Sequence, residues 1–127
     1  MKSDKIWELL NISPGHFLNV DVHAELTNHL KGNKDYYFEH AYEDVKSNKL
    51  LYLENNLLIY FVFEKEHYET FYFPINKIES ISKYIGDILR IRFSNNLIET
   101  NPVFSKSSTF KPSLDSLFEQ ILIKINN

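Results

Sequence analysis

Leu50-Leu51-Tyr52-Leu53-Glu54-Asn55-Asn56-Leu57-Leu58-Ile59-Tyr60-Phe61-Val62-Phe63 is the stretch that decides the fold. Two runs of strand-forming residues flank a pair of asparagines. Asn tolerates the positive φ that a tight type I′ turn needs, so the stretch predicts a β-hairpin. The run from Leu57 to Phe63 has no polar face. It predicts a strand covered on both sides, or one curled into a small barrel, and not a strand half in water.

Downstream, Glu64-Lys65-Glu66-His67 predicts a second reversal into a strand at Tyr68-Glu69-Thr70-Phe71-Tyr72-Phe73. Pro74 punctuates the chain, and Ile75, Ile78 and Ile81 follow at a spacing that suggests a strand bent near Lys77. Gly86-Asp87 marks a turn. Leu89, Ile91 and Phe93 then alternate with Arg90 and Arg92, which buries one face and leaves the other basic. Asn95-Asn96 predicts a further two-residue turn into Leu97-Ile98-Glu99-Thr100, a register that sets Arg92 opposite Glu99. The centre thus reads as an antiparallel meander of about five or six strands.

Before the sheet, Ser3 to about Asn11 predicts a helix with Ile6, Leu9 and Leu10 on its apolar stripe and Trp7 beside it. Ser13-Pro14-Gly15 closes it. Residues 16–31 fit two patterns. Val20, Val22, Ala24 and Leu26 alternate like a strand, while Val22, Leu26 and Leu30 fit a helix ended by Gly32; the helix, from about Asp21 to Lys31, is preferred. A third helix is expected after Asp35, from Phe38, Ala41, Tyr42 and Val45 at i, i+3, i+4 and i+7, ending at Ser47-Asn48. Beyond the sheet, residues 103–111 read as a polar loop. Pro112-Ser113 then opens a helix striped by Leu114, Leu117, Phe118, Ile121, Leu122 and Ile125, whose simplest use is to cover the sheet. The fold class is α+β: an antiparallel meander or small barrel with N-terminal helices and a C-terminal amphipathic helix.

The chain has 127 residues, 43% hydrophobic and 15% aromatic, which predicts one domain with a substantial core spanning residues 1–127. The formal net charge of −3 gives no general attraction to nucleic acid or anionic membranes. Cysteine is absent, which excludes disulfides, thiolate catalysis and Cys-based zinc sites and fits a cytoplasmic setting. No apolar run is long enough for a membrane span.

Catalytic signatures are missing. Gly15, Gly32 and Gly86 are too scattered to build a phosphate-cradling loop, and no serine stands in a nucleophile elbow. Glu64, Glu66 and Glu69 suit a solvated hairpin tip better than paired acid–base work. Asp21, His23 and Glu25 would share a face of a strand, and Glu25 and His29 would lie one turn apart on a helix. Either could hold a metal, but such spacings arise by chance and no HExxH-type motif supports them. His40 and Asp44, four apart, carry the same discount, and His16 reads as a loop residue. No catalytic residue, metal ligand or cofactor is therefore assigned. The best candidates for binding are Lys83, Tyr84, Arg90 and Arg92, a basic strand face with an aromatic beside it. RNA or DNA binding would want more positive charge and exposed stacking rings.

Leu57-Leu58-Ile59-Tyr60-Phe61, Phe73-Pro74-Ile75-Asn76-Lys77-Ile78-Glu79-Ser80-Ile81, Asp87-Ile88-Leu89-Arg90-Ile91-Arg92-Phe93 and the Leu114–Ile125 helix together resemble the small bacterial PH-like and GRAM-like domains. The resemblance covers roughly residues 50–126. It implies a barrel plugged by its last helix. Residues 1–48 fall outside it, and Asn55-Asn56 lacks the basic residues that phosphoinositide-binding members carry on the first hairpin. The expectation is a non-enzymatic intracellular module with a protein partner. The rivals are a small acidic inhibitor or immunity protein that neutralises a toxin or nuclease, and a metal-dependent enzyme using His23, Glu25 and His29.

Overall fold

The computed structural model describes residues 1–12, 17–41, 45–85 and 87–127. Two N-terminal helices, α1 (Ser3–Ile12) and α2 (Val20–His29), precede the strands β1 (Tyr37–Glu39), β2 (Asn48–Glu54), β3 (Leu57–Phe63) and β4 (Tyr68–Pro74). A 3-10 turn, Ile75–Lys77, leads to β5 (Ser80–Tyr84), β6 (Ile88–Arg92) and β7 (Leu97–Glu99), and the short helix α3 (Pro102–Ser105) leads to α4 (Lys111–Ile125). The strands form two antiparallel sheets, one ordered β1-β2-β3-β4 and one β5-β6-β7. The fold is α+β with a C-terminal helix. The single five- or six-stranded meander expected from the sequence is thus corrected to a pair of sheets.

The hairpin at Asn55-Asn56 is present, with Glu54 paired to Leu57. Only Asn55 takes positive φ, 56°, so the turn is not type I′, which needs positive φ at both central residues. It is also the second hairpin of its sheet. The expected helix after Asp35 is replaced by β1, which pairs Tyr37 with Leu51 and Glu39 with Lys49. Tyr36, Tyr37 and Phe38 are consecutive and all fully buried. A strand edge buries neighbouring aromatics on both its faces, and that packing overrides a short helical spacing. Tyr42, Glu43 and Asp44 of that expected helix lie outside the described residues, as do Ser13, Pro14, His16 and the glycines Gly15 and Gly86.

β3 is covered on both sides, and this organises the molecule. Ile59, Phe61 and Phe63 point to one face, where the His29 ring of α2 lies 4.4 Å from that of Phe61. α2 forms because Asn19 caps it, accepting from Val22 N at 2.9 Å, and because Val22, Leu26 and His29 make one buried stripe. Gly32, at φ 83°, lets the chain reverse after the helix. Ile6 and Leu10 of α1 join the same core.

On the opposite face, Leu58 pairs with Phe73, whose ring stacks on Phe93 beyond β6 at 4.3 Å. Tyr37 meets Phe110 there. Leu114, Leu117 and Ile121 of α4 are almost fully buried against these strands. The Met1 amino group joins the layers, touching Asp35, the Tyr36 carbonyl and Ser113 of α4.

The expected loop at 103–111 begins instead with α3, which Asn101 caps through Val103 N at 2.9 Å. The expected bend near Lys77 is the 3-10 turn, and the strand resumes only at Ser80. Among the described residues no helix is long and apolar enough to cross a membrane.

Candidate functional site

Antiparallel registers fix the face on which each residue of the second sheet sits. Ser80 pairs with Arg92, Ser82 with Arg90 and Tyr84 with Ile88, while Arg90 pairs with Glu99 and Arg92 with Leu97. Ser82, Tyr84, Arg90, Arg92, Leu97 and Glu99 therefore share the outer face. Leu89, Ile91 and Ile98 line the inner one and are buried. The alternation expected for β6 holds.

The expected Arg92–Glu99 pair is corrected. Phe93 N bonds Asn96 O at 2.8 Å, so the reversal falls on Ser94-Asn95, one residue earlier than expected. Partners shift by two residues, which changes the pairs and preserves the faces. Arg90 holds Glu99 through Nε at 2.7 Å and a terminal nitrogen at 2.6 Å. Its guanidinium also lies 4.4 Å from the Tyr84 ring centre.

Lys83 departs from the expected group. It follows Ser82 and so turns to the other side, where Nζ bonds Asp115 of α4 at 3.0 Å and lies 4.8 Å from the Phe118 ring. Tyr84, Arg90 and Arg92 remain together; Lys83 helps dock the last helix. One apolar residue extends the face and another follows Tyr84 in the chain. Leu97 is 48% exposed and Ile85 70%. Leu97 was legible in the strand alternation. Ile85 follows the strand at a φ of 47°, which a β-branched residue rarely adopts and which no alternation signals. Among the described residues Arg92 has no ion-pair partner, so the face presents one free cation beside Leu97, with Tyr84 at the other end of the strands beyond Arg90. The expected stability effect of Arg92→Ala is within about 0.5 kcal/mol. Arg90→Ala costs up to about 1 kcal/mol through its pair with Glu99. Chemical denaturation of both variants checks this.

The residues of the possible metal site lie on a helix, and α2 keeps Glu25 and His29 one turn apart, with Oε1 to Nε2 at 3.5 Å. His29 already has partners for both ring nitrogens: the Tyr52 hydroxyl at 2.6 Å and the Thr70 hydroxyl at 3.2 Å. His23 points elsewhere, its ring 5.0 Å from that of Trp7. Among the described residues no three His, Asp or Glu side chains gather to hold an ion. The His29 network packs the helix layer onto the first sheet.

Burial lowers the His29 pKa below its ordinary 6.5, with Glu25 opposing. The folded state therefore keeps a neutral imidazole, while the unfolded chain takes up a proton near pH 6.5. This contribution to stability is complete above pH 6.5 and is lost as pH falls below it. The melting temperature should fall between pH 7.5 and 5.5. His29→Asn, less stable at pH 7.5, should lose less over the same range.

Glu39 is a buried carboxylate, accepting from the Tyr37 hydroxyl at 2.9 Å and Asn101 N at 2.8 Å. Burial raises its pKa, with both hydrogen bonds opposing. Stability from this group is present at low pH and is lost as pH rises through that raised value, opposite in sign to His29. Glu39 joins β1 to the start of α3. Comparison with family models, with curated proteins and with solved structures finds no match to this chain.

Proposed function

We propose that this protein is a non-enzymatic, PH-like binding module whose outer β5–β7 face receives a protein partner. The observation that carries this reading is uneven cover. No residue of β3 is exposed on either face, whereas the outer face of the second sheet exposes Tyr84 at one end and Arg92 with Leu97 at the other. A partner that fits supplies a carboxylate to Arg92, an apolar side chain to the neighbouring Leu97 and a further contact to Tyr84 at the other end of the face. Such mixed aromatic and arginine patches are enriched at the centres of interfaces. The order of a four-stranded sheet, a three-stranded sheet and a final helix supports the PH-like reading. The lack of cysteine supports an intracellular setting. A basic face argues against an inhibitor that mimics nucleic acid.

The test is capture from the native cell with wild type, Arg92→Glu and Leu97→Asp side by side, read by mass spectrometry. A partner held by wild type and lost from both folded variants is expected. A partner retained equally by all three would contradict the assignment. The same reading expects no saturable binding to anionic vesicles at physiological salt. Residues 40–47, which join β1 to β2, carry Glu43 and Asp44 against only Lys46, so no basic cluster marks the first hairpin. Vesicle sedimentation checks this.

A further inference from the structure

The geometry points to a second interface, formed by the free edge of β4 with β4 of another copy of this chain. β4 ends the first sheet and pairs only with β3. Glu64 N bonds His67 O at 2.8 Å and Ile75 N bonds Asn56 O at 2.9 Å. These two bonds fix the phase of the ladder, because hydrogen-bonded and non-bonded pairs alternate along it. Glu69, Phe71 and Phe73 turn their backbone groups toward β3. Tyr68, Thr70 and Tyr72 turn their N–H and C=O groups away from it. Among the described residues no backbone hydrogen bond reaches that outer edge.

The other edges are guarded. β1 and β7 are each three residues long. β5 carries Lys83 and lies against Asp115 and Phe118 of α4. β4 has seven residues, no lysine, and Tyr68 and Tyr72 exposed at 46% and 57%. A long aromatic edge whose one charge is Glu69 and whose proline is its last residue is a template for strand pairing.

The edge is complementary to itself. About a two-fold axis at Thr70, Thr70 meets its own copy and Tyr68 meets Tyr72 of the second copy, twice. Each of these residues offers one donor and one acceptor, so every free group finds a partner. Glu69 then faces Phe71 of the second copy, so no like charges oppose. The two ends of β4 also differ in charge. Glu64 and Glu66 outweigh Lys65 at the hairpin tip, while Lys77 and Lys124 flank the Pro74 end. Antiparallel pairing brings each acidic tip to the basic end of the other copy. The product is one continuous sheet across the dimer.

Sedimentation velocity over a concentration series tests this with the full chain. Wild type should pass from 15.1 kDa to twice that mass as concentration rises. Tyr72→Pro removes an outward N–H that β3 does not use, and it should weaken the dimer ~10-fold or more while circular dichroism stays unchanged. If that variant does not fold, two double variants decide. Tyr68→Lys with Tyr72→Lys sets lysine against lysine and should be monomeric. Tyr68→Lys with Tyr72→Glu sets opposite charges face to face and should dimerise at least ~10-fold more tightly than the double-lysine chain. Wild type that stays monomeric at the highest attainable concentration overturns the proposal. So does a dimer with equal affinity in both double variants.

Discussion

Truncation after Lys111 is expected to unfold the protein. Leu114, Leu117 and Ile121 of α4 are between 0% and 2% exposed and pack beneath β1 and β2. Burying three such side chains contributes about 5–9 kcal/mol, while a domain of this size is stable by about 5–15 kcal/mol. Lys83 adds a polar clasp by holding Asp115. An isolated helix of this length is marginal in water, so α4 needs the sheets as much as they need it. Leu117→Ala and Ile121→Ala alone should each cost about 2–5 kcal/mol by urea unfolding. A truncated chain with an unchanged cooperative melt would mean that the sheets close without α4.

The second large effect is expected at Phe61. It is fully buried in the middle of β3 and packs on His29 at 4.4 Å and Phe63 at 4.9 Å. Phe61→Ala should cost about 3–5 kcal/mol, because helix layer and sheet both frame the cavity and neither can collapse into it without moving the other. Val62, on the opposite face of β3, is only half-buried, and Val62→Ala should cost clearly less. Equal losses at the two positions would mean that the helices do not close the Phe61 side. The comparison is made at pH 7.5, where His29 is neutral in both the folded and unfolded chain.

The strands were legible where their physics is local. The Leu57–Phe63 run announced a doubly covered strand, and Leu89, Ile91 and Phe93 announced a buried face by alternation alone. The last helix was legible from its stripe. The helix preferred over Asp21 to Lys31 is present as α2, but its packing on the far side of β3 was not legible, because its stripe is shared with strand periodicity. β1 was misread as a helix because its three residues give no periodicity, and only pairing with β2 reveals them. The Arg90–Glu99 pair was missed by one turn residue, since Ser94-Asn95 and Asn95-Asn96 are both acceptable reversals. Lys83 was grouped with Arg90 because charge was read without strand parity. Tyr84, Arg90 and Arg92 were found together because they lie on one alternating face.

The account rests on a single cooperative unit in which helices and sheets share one core and the β5–β7 face is left open. Trp7 tests it directly. It is the sole tryptophan, and it sits on α1 with its ring against His23 of α2. Its fluorescence reports the helix layer, while far-ultraviolet circular dichroism reports the whole chain. The two thermal transitions should coincide in midpoint and steepness, as two-state unfolding requires. If Trp7 fluorescence changed well below the main transition, the helices would be a separable layer and the helix-facing side of β3 a second open face.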